Sequence, residues 1–468
     1  MKLLGKTGHA ASVYILLAGL QRGMPLIILP FISQVMPPAE YGKASMLTAS
    51  SLLLTTVLAQ PLDSLVFRSA ARDDDSSPAL LRLTGLYCYV VMPSVGLMAA
   101  GLVALLVPSF LGVSGHIWSV ELAAVGFLPA TTCFALPVVQ ATQDLRRFAW
   151  LALTSITFMA GSKIALVLIW PLGVTGWVIS DLISAMASAA IALLLVPPVR
   201  AAITSRHIRS ALRFALPLVP HKASFWAIAS LSRPVMAAVS TLTQVGLLSL
   251  GWNIASVANL ILSEINRASM PQYSREEFPA PSKATLTTVR LQLVLAVTVP
   301  ALVGSSLALL GQWVFPSSYW PAFAVVAILL LGQASYGLYL VPANFQVQTA
   351  GTTRPVALAS SAGAALMLIL LLLVGRSQGA IGAAYSIAIG FTAMLLIALG
   401  LGRLLKLNVR WQSWCRCWPE MVSGAAALAV GVAAALSPVG SAGGKLLGGL
   451  GLALVATAFL LCLRPIER

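Results

Sequence analysis

The sequence predicts an all-α, polytopic membrane protein with about fourteen transmembrane helices. Three observations lead there. Of 468 residues, 59% are hydrophobic and only 9% are charged, against roughly 25% charged in a soluble domain. The apolar residues come in blocks of about 20, the length a helix needs to cross roughly 30 Å of hydrocarbon. The blocks are continuous rather than alternating, which excludes a bilayer β-barrel. Backbone groups in lipid must pair internally, so the blocks are helices.

Candidate spans run 11–35, 42–67, 84–107, 118–140, 149–170, 175–196, 214–239, 244–266, 291–311, 321–342, 355–375, 380–401, 421–437 and 445–463. The first is too long for a cleaved signal peptide and is expected to remain as a helix. Loop charge tests the series independently, because cytoplasmic loops collect Lys and Arg. Of 29 basic residues, 22 fall on the side that carries both termini. Only Lys43, Arg376 and Lys445 fall on the other side, and four lie inside spans. A missed or extra helix would put the later basic loops on the wrong side, so both termini are expected in the cytoplasm. Nine of the eleven Trp residues sit near span ends, where amphipathic rings prefer the headgroup layer; Trp226 and Trp252 do not.

The chain also repeats itself. Tyr41-Gly42 after the first span matches Val245-Gly246 after the seventh, an offset of 204. Arg147 after the fourth corresponds to Arg354 after the tenth, an offset of 207. Gly173-Val174-Thr175-Gly176 before the sixth matches Gly379-Ala380-Ile381-Gly382 before the twelfth, an offset of 206. A six-helix unit is therefore expected twice. Six is even, so both copies run the same way, related by a pseudo-two-fold axis along the membrane normal. The expected organisation is an N-terminal lobe at 1–196, a basic cytoplasmic connection at 197–213 and a C-terminal lobe at 214–402. A basic, aromatic interfacial segment at 403–420 and two additional helices at 421–468 follow. Two lobes with a cleft between them is a transporter plan.

Ionisable groups inside spans are costly and usually functional. Four cations qualify: Arg22 in the first span, Lys163 in the fifth, and Lys222 and Arg233 in the seventh. The first and seventh spans are equivalent in the two copies, so Arg22, Lys222 and Arg233 are expected to face one cleft. Four cations with few acids favour an anionic substrate; Arg suits bidentate phosphate contact and Lys adds a compact charge. Plainer readings stand beside these. Arg233 can snorkel, and Lys163 can pair with Asp181 across the fifth and sixth spans. Asp181, with Asp63 and Glu264 near cytoplasmic ends, are the candidates for ion coupling or pairing; for the last two, packing is the plainer role. Trp226 can stack on a sugar face or face lipid. His221 reads as structural. Pro25, Pro30, Pro217, Pro220 and Pro234 allow the first and seventh spans to bend.

Other classes find little support. The net charge of +16 belongs to short loops, and no soluble basic domain is present for nucleic acid. Cys415 and Cys417 form a lone Cys-x-Cys without the further ligands a metal site needs. The outer loops are short and almost free of Asp, Glu and His, which argues against a membrane glycosyltransferase or polymerase. No phosphate-cradling Gly-rich loop with Lys-Ser/Thr occurs. The chain is read as a non-enzyme that uses no cofactor and no metal.

The opening of the chain, with Pro37-Pro38-Ala39-Glu40-Tyr41-Gly42, resembles the bacterial polysaccharide transporter family, the Wzx-type oligosaccharide flippases. Phe214-Ala215-Leu216-Pro217-Leu218-Val219-Pro220-His221, Gln244-Val245-Gly246-Leu247 and the stretch Asn259 to Arg275 resemble that family's seventh and eighth helices and following loop. The resemblance covers roughly residues 1–400. It implies the multidrug/oligosaccharidyl-lipid/polysaccharide exporter superfamily and the bacterial inner membrane. It also implies flipping of undecaprenyl-diphosphate-linked sugars for O-antigen, capsule or exopolysaccharide. Partners implied are the lipid-linked oligosaccharide, membrane lipids, a coupling cation and polysaccharide polymerase or export machinery. Many members have Asp before the Arg of helix 7; here Ser232 precedes Arg233. A cation-coupled multidrug exporter of the same superfamily is the alternative, and it predicts an acidic cleft.

Overall fold

The computed structural model describes residues 20, 23–71, 77–216, 219, 226–227, 230–276, 283–405 and 418–463, with backbone only at 283 and 284. The regular structure of the described residues is helical apart from one two-stranded antiparallel hairpin, β1 (Ser109–Phe110) and β2 (Val113–Ser114). The chain divides into two compact units, Met1–Ala237 and Ala238–Arg468. The division falls inside the seventh span rather than before it, so most of that span belongs with the first unit.

In the first unit, α1 is described over Gly23–Val35. Two segments, Pro38–Leu58 and Pro61–Ala71, form α2 and meet at 49°. The bend has a local cause: Pro61 has no N–H to continue the ladder, and Gln60 bonds back to Thr55 instead (3.0 Å). The hairpin links α3 (Ser77–Leu106) to α4 (Gly115–Ala141); α5 (Leu145–Ile169) and α6 (Gly173–Leu195) complete the unit. α4 is the inner helix. Two thirds of its apolar window (67%) is buried within the protein, against 17% for α3, whose apolar face is left for lipid. Cys88, Cys133, Phe134, Phe148, Leu151 and Ala192 form the core where α3 to α6 converge. The expected linker 197–213 contains a helix, Ser205–Ala215. It is amphipathic: Ala211 and Ala215 are buried while Arg206, Arg209 and Arg213 stay at its surface. It is held on α2 by Arg68 over the Phe214 ring (6.0 Å). Of α7, the stretch Ser232–Val239 is described as helix.

In the second unit, α8 (Leu242–Ser274), α9 (Lys283–Val314) and α10 (Pro321–Thr349) pack side by side. One continuous run, Arg354–Leu404, contains two spans, α11 (354–378) and α12 (380–404), divided at Gly379. The last two helices are α13 (Trp418–Leu436) and α14 (Ala442–Cys462). Dividing 354–404 at Gly379 and counting bent α2 once reconciles the ten or eleven apolar spans found on length with about fourteen. The remainder are α1 and α7, parts of which lie outside the described residues.

α13 and α14 pack on α9. Gly304 and Gly431 let α9 and α13 touch backbone to backbone: a Cβ on Gly304 would sit 2.7 Å from the Gly431 carbonyl. A buried ion pair joins Arg290 of α9 to Glu420 of α13, and the same Nη2 donates to the Leu461 carbonyl of α14 (2.7 Å). Arg290, one residue outside the expected span 291–311, is therefore an interior residue. Glu420 likewise leaves the interfacial segment for a helix; 406–417 of that segment lie outside the described residues.

The internal repeat extends to a single hydrogen bond. In the first unit the Glu40 carboxylate accepts from the Val174 N–H at the start of α6 (3.2 Å). In the second, the Gln244 side-chain oxygen accepts from the Ala380 N–H at the start of α12 (2.8 Å). Each bond is preceded by a glycine in the left-handed region, Gly173 at φ 59° and Gly379 at φ 57°. The glycine lets the chain turn sharply into the helix, and the side chain satisfies one of the donors that a helix start leaves open.

Candidate functional site

The first unit gathers charge in its interior. Lys163 ends the regular part of α5, where the next six residues, Ile164–Ile169, widen into a π turn. Its ammonium reaches Asp181 Oδ1 of α6 at 2.7 Å, so the pair expected across the fifth and sixth spans forms. The same Nζ lies 3.6 Å from the centre of the Trp177 ring, one turn earlier on α6. A cation held between a carboxylate and an aromatic face is well stabilised in a poorly solvated site. Trp177 in turn donates from Nε1 to Thr48 Oγ1 of α2 (3.2 Å) and meets the Tyr41 ring edge-on at 6.0 Å.

Arg233 joins this region from α7. Tyr41 is its electrostatic neighbour. No carboxylate pairs with its guanidinium among the described residues. Two cations, Lys163 and Arg233, thus flank the Tyr41–Trp177 aromatic pair within one unit. Lys163 is neutralised by Asp181; Arg233 is not neutralised by any described acid.

Trp226 is 7% exposed and donates from Nε1 to the Ala49 carbonyl of α2 (2.9 Å). The ring faces neither lipid nor an open surface, and it anchors the seventh span to α2. Asp63 opens the second segment of α2 and accepts from Ser64 Oγ (2.7 Å). Glu264 of α8 forms an exposed ion pair with Arg267 one turn on (2.8 Å), so its charge is balanced locally. Arg22, Lys222 and His221 lie outside the described residues. Trp252, the other interior tryptophan, stacks on Phe391 in the second unit, with centroids 6.4 Å apart and planes at 15°.

Besides Arg290 and Glu420, a third buried charged residue escapes the sequence reading. Glu121 of α4 is 3% exposed and accepts from Ser51 Oγ of α2. Its position inside the predicted span 118–140 was the available signal. Three residues from the span's end, it reads as an interfacial side chain until the surrounding helices are known.

The profile of a family described as polysaccharide biosynthesis protein matches residues 8–276. No curated protein matches the chain by sequence. Several solved structures share the fold. An inward closed conformation of the lipid II flippase MurJ is similar with a TM-score of 0.65 at 11% identity, covering 95% of this chain and 98% of that one. An inward-facing multidrug resistance MATE family transporter of the MOP superfamily gives 0.63 at 11% identity, covering 82% and 94%. An outward-facing MATE conformation gives 0.51 at 14% identity, covering 85% and 94%. At such identities the likeness is one of fold.

Proposed function

The chain belongs to the polysaccharide biosynthesis protein family, and from that premise we propose that it is a flippase for a lipid-linked oligosaccharide. The substrate is an undecaprenyl-diphosphate-linked sugar, carried by alternating access across the bacterial inner membrane for O-antigen, capsule or exopolysaccharide. Both termini face the cytoplasm. The diphosphate is anionic, and the protein carries it past cations while the lipid tail stays in the bilayer. Arg233 is the principal contact, with Arg22, Lys222 and Lys163 as further cations and Trp226 as the support of helix 7. Asp181 is the acid available for ion coupling. Membrane lipids and the polymerase or export machinery are its partners, and no catalysis is involved.

One observation supports this reading above the rest. Arg233 is a membrane-embedded guanidinium with no acidic partner among the described residues. Such a charge is expensive to keep unless something anionic meets it, and a planar guanidinium matches phosphate oxygens in pairs.

The test is genetic. Arg233→Ala and Arg22→Ala are each expected to abolish surface polysaccharide while protein level in the membrane stays unchanged. Arg233→Lys keeps the charge but loses the two-point contact, and is expected to fall between. Full polymer production by both alanine variants overturns the cationic-path reading. Efflux of small cationic compounds in place of polymer transfer would favour the multidrug exporter.

A further inference from the structure

The interior of the first unit holds one acid more than its lysine balances. Glu121 Oε1 accepts from Ser51, but Oε2 has no hydrogen-bond partner. The charges that act on Glu121 are Asp181 and Lys163. From α2 it faces the Ser51 hydroxyl, from α5 the Lys163 ammonium, and from α6 the Asp181 carboxylate. The adjoining stretch of α3, Met92–Leu106, has no titratable residue. On α4 itself, His116 is exposed at the helix start. The cluster is thus one ammonium and two carboxyls, and Lys163 is already engaged by Asp181 at 2.7 Å.

Two carboxylates on one ammonium leave this cluster one charge negative, an arrangement of high cost away from water; Arg233, the other cation of the unit, is not among the charges that act on Glu121. A proton on one carboxyl restores neutrality. Glu121 is the carboxyl that can take it, because its second oxygen is committed to nothing. A metal ion fits poorly. The place of the cation is filled by the Lys163 Nζ, and no group of three or more metal-ligating side chains exists among the described residues.

The second unit shows that the fold does not need this cluster. At offsets of 204 to 207 residues the counterparts of Glu121 fall within Val325, Val326, Ala327 and Ile328. Asp181 corresponds to Ile387, Lys163 to Ile369 or Leu370, and Ser51 to Ala255. The same six-helix plan is built there with apolar residues at all four places. The charges are therefore confined to one copy.

We propose that Glu121 is a proton-exchange site whose protonation decides whether Lys163 belongs to Asp181 alone or is shared between the two carboxylates. In the protonated state, Lys163 pairs with Asp181 over the Trp177 ring. When the proton leaves to water, the Glu121 carboxylate becomes a second anion drawing on the same ammonium. The contacts holding α4, α5 and α6 together change with it. No atom other than the proton is transferred, and its loss leaves the cluster one charge negative, with Lys163 drawn between the two carboxylates.

The experiment is pH-difference infrared spectroscopy of the full-length protein in lipid nanodiscs. Its readout needs no substrate, so it stands or falls separately from the flippase reading. The wild type is expected to lose a protonated-carboxyl stretch as the pH is raised, and Glu121→Gln is expected to lack that signal. Lys163→Met removes the counter-cation and is expected to displace the midpoint toward tighter proton binding by about tenfold or more, since a shift of one pH unit is about 1.4 kcal/mol. Ser51→Ala removes the hydrogen bond to Oε1 and is expected to displace it the same way, by less. That variant serves if Glu121→Gln does not fold. A wild-type spectrum with no titrating carboxyl that Glu121→Gln or Ser51→Ala alters overturns the proposal. So does a signal that responds to sodium at fixed pH.

Discussion

A buried ion pair in a membrane protein stands or falls as a unit. Arg290 and Glu420 are 6% and 4% exposed and lie across the α9–α13 contact. Removing one partner leaves the other charge uncompensated, at about 3–5 kcal/mol, whereas replacing both with apolar groups is often close to neutral. Arg290→Leu and Glu420→Leu are therefore each expected to lower the melting temperature in detergent sharply, and the double variant to recover much of the loss. A double variant no more stable than the worse single would show that the pair is not the unit. Arg290, Glu420 and Glu121 share a reason for being misread from sequence: each lies at or near the end of an apolar window. A window average cannot tell a charge that reaches water from one that a neighbouring helix covers. Lys163 and Asp181 were legible because each sits well inside a span.

Two helix starts, one in each unit, are built alike. The Glu40–Val174 and Gln244–Ala380 bonds are the same device in two copies, one with a charged acceptor and one with a neutral acceptor. The second copy shows that charge is dispensable. Glu40→Gln is therefore expected to leave thermal stability nearly unchanged, while Glu40→Leu and Gln244→Leu each cost about 1 kcal/mol by stranding a backbone donor. Gly379→Val should cost more. The left-handed conformation disfavours any Cβ, by roughly 1–2 kcal/mol, and this one would meet Gln244 Oε1 at 2.5 Å. Thermal unfolding of the purified variants measures the order; equal losses for Glu40→Gln and Glu40→Leu would contradict it. The sequence displayed both glycines and the 206-residue offset. That they meet Glu40 and Gln244 was not legible, because contacts across more than 130 residues leave no local pattern. The bend of α2 at Pro61 and the amphipathic helix in the linker follow from local chemistry, but hydropathy alone merges the first into one span and passes over the second.

At the scale of the molecule, composition and hydropathy suffice for the class. A chain with 9% charged residues has no option but to be covered by lipid. The even helix parity came from loop charge, and the duplication from three spaced landmarks. The unit boundary at Ala237–Ala238 was less accessible. Trp226 and the helix Ser205–Ala215 pack on the first unit, which periodicity does not reveal. The duplication is also unequal. The first unit buries Glu121 and Lys163, with Asp181 half-buried beside them. The second has neutral amides inside its bundle, with Asn266 Oδ1 accepting from Gln292 (3.2 Å) and Asn344 (2.7 Å), and its buried charges among the described residues are the Arg290–Glu420 pair. The two copies have diverged in chemistry while keeping their helix starts.

The proposed movement of a lipid-linked oligosaccharide between leaflets, with Arg233 meeting the diphosphate, can be tested on the purified protein. The most direct measurement places purified protein in liposomes that carry such a lipid in both leaflets and asks how much sugar an externally added glycosidase can reach. Wild type is expected to bring the inner-leaflet pool within reach, and Arg233→Ala to leave that pool sealed in vesicles that remain intact. An inner pool that stays sealed with the wild type, or opens equally with Arg233→Ala, would contradict the account.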